Sequence, residues 1–150
     1  MKQESNLIRL LIIFAFSIIL SNCDPGDDRL EITNNSNRDI YIYYSCDSTL
    51  NDLSILRNGY YHNSRGDSSY TTSNEYIKKH SSQKMPRFGL NAWLSYIDKC
   101  ENKQFHLYIF SDSVVFKYSD SVIKNEKMFE KHLLFTKSEL IQQHWKVIYP

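Results

Sequence analysis

The sequence predicts a mainly β fold, an antiparallel β-sandwich with two short helices that follows an N-terminal signal helix. Apolar and polar residues alternate along several short segments that turn-forming residues separate, as expected for half-buried strands. Helical periodicity is confined to two short stretches and does not alternate regularly with the strands, which excludes a βαβ arrangement. An immunoglobulin-like topology is one option among several for the sandwich.

The first 22 residues have the layout of a secretory signal. Lys2 and Arg9 supply a positive start, and an apolar segment then runs to Leu20. This segment is shorter than the roughly 20 residues that span a bilayer as a helix. The sequence therefore predicts export.

The end of this segment, Leu20-Ser21-Asn22-Cys23, resembles the lipobox of bacterial lipoproteins, although Asn22 replaces the usual small residue. The resemblance implies cleavage before Cys23, lipidation of its thiol and attachment to the cell envelope. The expected membrane is the outer membrane, on its periplasmic face or at the cell surface. An ordinary cleaved signal or an uncleaved anchor is the alternative.

Three acidic residues follow the cysteine closely: Asp24, Asp27 and Asp28. They fit a solvated tether, and they also resemble the surface-export signal of Bacteroidota-type lipoproteins. The predicted organisation is a signal peptide over 1–22, an acylated cysteine with an acidic tether over 23–29, and one β-rich domain over 30–150.

Charge excludes one class of partner. Removing residues 1–22 leaves 128 residues, in which Lys plus Arg falls from 18 to 16 and Asp plus Glu falls from 17 to 16. Such a neutral chain, without a run of basic residues, does not favour nucleic acid. We therefore expect no nucleic-acid partner.

The start of the domain predicts a β-hairpin. Residues 30–33 and 40–46 both alternate, and the turn-rich stretch Asn34-Asn35-Ser36-Asn37 lies between them. In the second strand Tyr41 and Tyr43 share one face.

A long polar segment over 58–74 follows a brief helical turn predicted within 52–57, and it has the composition of a surface loop. It contains Tyr60, Tyr61 and Tyr70. Tyrosine rings suit sugar faces and peptide interfaces, so we predict a binding surface that these three residues form with Tyr41 and Tyr43.

The rest of the chain predicts two helices, the second with an N-terminal capping motif, and several strands. Leu90, Trp93, Leu94 and Ile97 follow helical spacing over 90–99, which makes Trp93 a core residue. Thr136 and Glu139 form a capping-box pattern. Residues 114–116 fit either a strand or a helical turn. Strands are predicted at 76–79, 103–111, 126–135 and 144–149, the last pairing inside the sheet.

Cys46 and Cys100 remain once Cys23 is assigned to the lipid. In an exported domain this pair indicates one disulfide, which only the geometry decides. The cysteines have no zinc spacing and the five histidines have no metal-ligand spacing, so no metal or cofactor is expected. His106 and His132 lie on predicted strands and could converge across a sheet, and the alternative is that they are surface histidines or hydrogen-bonded structural ones.

Three short motifs resemble the Asp-Ser/Thr-apolar acceptor sites for O-glycosylation in exported Bacteroidota-type proteins. They place candidate acceptors at Ser48, Ser113 and Ser121.

Residues 32–42 and 137–150, with the lipobox, resemble a group of small Bacteroidota-type lipoproteins with a mainly β domain. The resemblance implies a location in the cell envelope and a fold but no catalytic residues. We therefore predict a non-enzymatic, lipid-anchored envelope module that binds a protein or a glycan. A structural or assembly accessory without a small ligand is the first alternative, and a hydrolase is the second.

Overall fold

The computed structural model describes residues 26–57, 60–62, 68–70 and 75–150, with the backbone alone for 57, 60–62 and 68–70. The predicted signal segment and Cys23 lie outside these residues. The described chain is mainly β with few helices, as predicted, and all but one of its strand pairs are antiparallel. Across the described ranges, no helix has the length and apolar character needed to cross a bilayer.

Eleven strands lie in the described residues: β1 Gly26–Asp27, β2 Glu31–Asn34, β3 Ile40–Ser45, β4 Tyr60–His62, β5 Ser68–Tyr70, β6 Tyr76–Ile77, β7 Ser81–Lys84, β8 Arg87–Phe88, β9 Gln104–Ser111, β10 Lys131–Thr136 and β11 Lys146–Tyr149. A four-stranded sheet has the order β10-β9-β3-β6, and a three-stranded sheet has the order β11-β2-β7. Two short ribbons, β1-β8 and β4-β5, complete the pairing.

The described helices are short: α1 Ala92–Lys99, α2 Asp112–Lys117, α3 Asp120–Asn125 and α4 Lys137–Gln142. Single 3₁₀ turns cover Ser54–Arg57 and Glu101–Lys103. The predicted helical turn within 52–57 is therefore confirmed, and residues 114–116 belong to a helix rather than a strand.

Strand β9 divides the molecule into two cores because both of its faces are buried. Phe105, Leu107 and Ile109 face the first core, which the three-stranded sheet, α1 and α4 complete from the other side. Tyr108 and Phe110 face the second core, which α2, α3 and the 3₁₀ turn at 54–57 cover. Two sheets that pack face to face across the first core are consistent with a β-sandwich.

The predicted hairpin of the first two long strands is wrong. Strand β2 belongs to the three-stranded sheet and β3 to the four-stranded sheet, so the turn between them carries the chain from one sheet to the other. Asn34 directs this change of sheet. Its fully buried amide donates to the carbonyl oxygens of Arg38 at 2.8 Å and Ile77 at 3.2 Å, and its Oδ1 accepts from the Ser36 backbone N–H and hydroxyl.

Residues 26–29, which the sequence assigned to the acidic tether, are part of the folded domain. Strand β1 pairs with β8, and the Asp27 carboxylate is buried. Asp27 accepts from Arg29 Nε at 2.6 Å and from the Trp93 backbone N–H at 2.9 Å, at the start of α1. Asp27 is therefore a structural residue of the domain.

Two local predictions are confirmed. Trp93 is fully buried and its indole N–H donates to the Met85 carbonyl oxygen at 2.7 Å. Thr136 and Glu139 form the reciprocal capping box that starts α4. The final strand differs from expectation, because β11 lies at an edge of its sheet and pairs in parallel with β2.

A disulfide joins Cys46 and Cys100, whose Cα atoms are 4.3 Å apart. It connects the end of β3 with the C-terminal end of α1, and the Glu101 N–H donates to the Cys46 carbonyl oxygen beside it. The link closes a separation of 54 residues. Closing a chain segment of this length in the unfolded state stabilises the fold by a few kcal/mol.

Replacing Asn34 by Ala should lower the free energy of unfolding by about 2–4 kcal/mol, because the carbonyl oxygens of Arg38 and Ile77 lose a buried donor. Urea titration followed by circular dichroism measures this change. Asn37→Ala, at an exposed position of the same turn, serves as the control and should change stability by less than about 0.5 kcal/mol. Equal losses in the two variants would contradict the role assigned to Asn34.

Candidate functional site

Three aromatic rings line up across β9 and β10. Tyr108 and His132 are directly opposite in the strand register, and their rings stack nearly in parallel with centroids 4.1 Å apart. His106 precedes Tyr108 by two residues, so it lies on the same face of β9. Its ring stacks on His132 at 5.1 Å. The register of these two strands therefore brings together the histidines that the sequence left unplaced.

The two imidazoles share a hydrogen bond between His106 Nδ1 and His132 Nε2 at 3.0 Å. One nitrogen donates and the other accepts, so the pair does not hold a proton on both of these atoms at once. Burial lowers the pKa of His132, and the His106 charge lowers it further. Burial also lowers the pKa of His106, against a smaller opposite effect from Asp47 and Glu101. Both rings are therefore neutral at pH 7.

A pocket of about 490 Å³ opens beside His132 and Tyr108. One wall is the loop after β3, which Tyr108 holds by donating its hydroxyl to the Ser48 carbonyl oxygen at 3.0 Å. The other wall is the end of α3 and the segment that follows it. The complete lining is Ser48, Thr49, Leu50, Tyr108, Lys124, Lys127, Phe129 and His132.

Charge in this lining is one-sided, since it contains two lysines and no carboxylate. Lys124 donates from Nζ to the Asn51 carbonyl oxygen. Hydrogen bonds from Ser54 lower the pKa of Asp52, and the Lys124 charge adds to this effect. Within the described ranges, Lys127 has no such partner and is exposed. The Lys127 ammonium is thus the cation that is available to a ligand.

Hydroxyl and aromatic groups complete the pocket. Asp47 orders the loop by accepting from the Thr49 backbone N–H at 2.8 Å and from the Thr49 hydroxyl. Phe129 meets the Tyr108 ring at its edge, with centroids 5.3 Å apart. A ligand here would contact a half-buried aromatic ring, two exposed hydroxyl residues and a cation.

Tyr41 and Tyr43, predicted as binding residues, are core residues instead, with 3 % and 7 % of their surface exposed. They face the second core beside Tyr108 because both faces of β3 pack against other elements. The predicted aromatic face of this strand is therefore not an open surface. Tyr60 and Tyr70 are paired across the β4-β5 ribbon, with Tyr61 next to them, and the predicted loop over 58–74 thus contains two strands.

The predicted modification sites fall in different places. Ser48 lies in the pocket wall, Ser113 in α2 and Ser121 in α3, and all three are exposed. Lipidation of Cys23 stays a prediction because this residue lies outside the described ranges. No group of three or more potential metal ligands occurs among the described residues.

Sequence reasoning missed Thr49, Lys124, Lys127 and Phe129. These residues come from the loop after β3 and from the end of α3 with the segment after it, about 75 positions apart in the chain, and only the second core brings the two parts together. The sequence signals that fall in this region are the two histidines on neighbouring strands and the acceptor motif at Ser48.

No protein-family model, no curated protein and no solved structure matches this chain.

The His106–His132 pair predicts a pH dependence of stability. Because both pKa values are lowered from 6.5 in the folded protein, the unfolded chain binds more protons as the pH falls below about 6.5. Stability should therefore be intact above this pH and decrease below it. Urea midpoints measured between pH 7.5 and 5 test this decrease.

The double substitution His106→Gln with His132→Gln should flatten that dependence. His80→Asn is the control, because His80 is exposed and has a left-handed backbone that Asn tolerates. An unchanged pH profile in the double variant would show that other groups cause the decrease.

Proposed function

We propose that this chain is a lipid-anchored protein of the cell envelope that binds an acidic glycan in the pocket beside His132. The observation that carries the proposal is the lining, which contains two lysines, the hydroxyls of Ser48 and Thr49 and three aromatic rings but no carboxylate. The volume falls within the range of about 300–1,000 Å³ that is typical of small-ligand sites. The signal helix over 1–22 is part of the proposal, and the immunoglobulin-like topology stays a prediction of the sequence.

Each element of the lining has a role in this proposal. The apolar face of a sugar ring packs on Phe129, as sugars do on aromatic side chains. The ring hydroxyls exchange hydrogen bonds with Ser48 and Thr49. A carboxylate on the sugar pairs with the Lys127 ammonium, which has no competing acid in the pocket lining.

The neutral histidine pair fits such a ligand. Burial lowers the pKa of His132 from 6.5, so its ring is uncharged at pH 7 and offers an aromatic surface. The hydrolase alternative needs a histidine that hydrogen bonds to a carboxylate or a hydroxyl. In the described part of the chain, the hydrogen-bond partner of each of these rings is the other ring.

Acid recognition is tested with matched oligosaccharides, an oligogalacturonate and the neutral galactose oligomer of the same length, by titration calorimetry. The acidic probe should bind more tightly, and Lys127→Glu should weaken its binding by about tenfold or more, because it replaces attraction by repulsion. Lys103→Glu is the matched control, since Lys103, like Lys127, is exposed and has a left-handed backbone conformation but lies outside the pocket. Equal affinity for both probes would contradict the acidic class, and binding of neither would favour the accessory alternative.

The anchor is tested by expression in a bacterial host fed with an alkyne fatty acid. The wild-type protein should carry the label and sediment with the membrane, because a cysteine thiol is the nucleophile that accepts the lipid. Cys23→Ala should lose both properties. The double variant Cys46→Ser with Cys100→Ser should keep the label, since these cysteines pair with each other. Membrane retention of Cys23→Ala would contradict the lipid anchor.

A further inference from the structure

The loop between β8 and α1 exposes two large apolar side chains. Phe88 is 96 % exposed and Leu90 is 76 % exposed, the two highest values for such side chains among the described residues. Gly89 separates them and has a φ of 110°, which L side chains rarely adopt. Two neighbouring apolar groups held in solvent are costly unless something covers them.

Side-chain contacts hold this loop on both sides. Before it, the Arg87 guanidinium lies 3.8 Å from the centre of the Tyr96 ring and 5.1 Å from that of Trp93. After it, Asn91 accepts a hydrogen bond from Arg29 at 2.8 Å. The exposure of Phe88 and Leu90 is therefore a consequence of the folded structure.

The loop also lies close to the proposed anchor. Gly26 is directly opposite Phe88 in the β1-β8 pair, and opposed residues of an antiparallel pair have Cα atoms about 4.5–5.5 Å apart. Cys23 precedes Gly26 by three residues, and three residues span at most about 11 Å. The Cα atoms of Cys23 and Phe88 are thus no more than about 16 Å apart.

The groove next to the exposed pair is cationic. Its lining includes Arg87, Lys99 and the half-buried ring of Tyr96, and it contains no carboxylate. On the other side of the loop the exposed Asp28 is paired with Lys84 at 2.8 Å. Cations beside apolar side chains match the boundary between phosphate headgroups and acyl chains in a bilayer.

We propose that Phe88 and Leu90 insert into the interfacial layer of the bilayer that holds the Cys23 lipid. Arg87 and Lys99 face the lipid phosphates in this arrangement. The inference rests on the lipid anchor of the proposed function and adds a second contact, which fixes the orientation of the domain on the membrane.

This orientation has a consequence for the pocket. Arg87 and Trp93 pack on the first-core side of the four-stranded sheet, whereas Tyr108 faces the second core. The apolar loop and the pocket therefore lie on opposite sides of that sheet. With the loop in the bilayer, the four-stranded sheet lies between the membrane and the pocket.

The test uses the lipidated full-length protein in vesicles of phosphatidylethanolamine and phosphatidylglycerol that contain brominated lipids. Bromine quenches tryptophan fluorescence on contact, so Phe88→Trp should be quenched more than the wild-type protein, and most by lipids brominated close to the headgroup. Ile148→Trp is the control, because Ile148 is also apolar and 61 % exposed but belongs to β11. It should be quenched no more than the wild type.

The outcomes separate the anchor from the insertion. A labelled Cys23 with no extra quenching at position 88 overturns the insertion and leaves the anchor intact. An unlabelled Cys23 overturns both. Crosslinking between protein molecules in the vesicles through position 88, in place of quenching, would assign the loop to a second copy and overturn the membrane contact. The high exposure of both substituted positions keeps the variants folded.

Discussion

The structure depends on a strand with no face toward solvent. From Phe105 to Ser111 every residue of β9 is buried, so the sheet that contains it must be covered on both sides. A second sheet covers one side and short helices cover the other. A buried polar group is costly unless it has a hydrogen-bond partner. The two polar side chains that β9 buries each have one, since His106 pairs with His132 and Ser111 pairs with Ser113. The stacked rings at the pocket follow from this requirement.

The disulfide connects this layered core with the pocket. Cys46 directly precedes Asp47, whose carboxylate orders the loop that forms one pocket wall. The loop is therefore held at its start by the link to Cys100 and further along by the Tyr108 hydroxyl. Two fixed points within three residues preorganise the hydroxyls of Ser48 and Thr49. A site arranged in this way loses little conformational entropy when a ligand binds.

Sequence reasoning succeeded where the decision was local. The Trp93 helix and the Thr136 capping box depend on residues within about one helical turn, and both are confirmed. The predicted hairpin of β2 and β3 was wrong because the turn was identified correctly but each strand pairs with strands that are distant in the sequence. Asn34 donates to Ile77, 43 residues away, and no spacing in the sequence encodes that contact.

Two further errors have physical causes of the same kind. Strand β7 was missed because Ser81–Lys84 is polar throughout and pairs at a sheet edge, so it has no apolar alternation to detect. The histidine pair could be placed on two strands but not brought together, because the strand register decides which side chains meet. The pocket forms only when these distant segments come together, so nothing in the sequence around its lysines indicated a site.

The connection between Cys23 and the folded domain is so short that a lipid on Cys23 would restrict the orientation of the domain. Only Asp24 and Pro25 separate the cysteine from β1, whose Asp27 binds the backbone of the core residue Trp93. Only these two residues would therefore connect a lipid on Cys23 to the folded domain, so no long flexible linker would separate the lipid from the core. Under that constraint the protein surface around β1 and β8 has to lie near the bilayer. Phe88 and Leu90 occupy that surface, so in the proposed arrangement these two exposed side chains would be the ones that meet the bilayer.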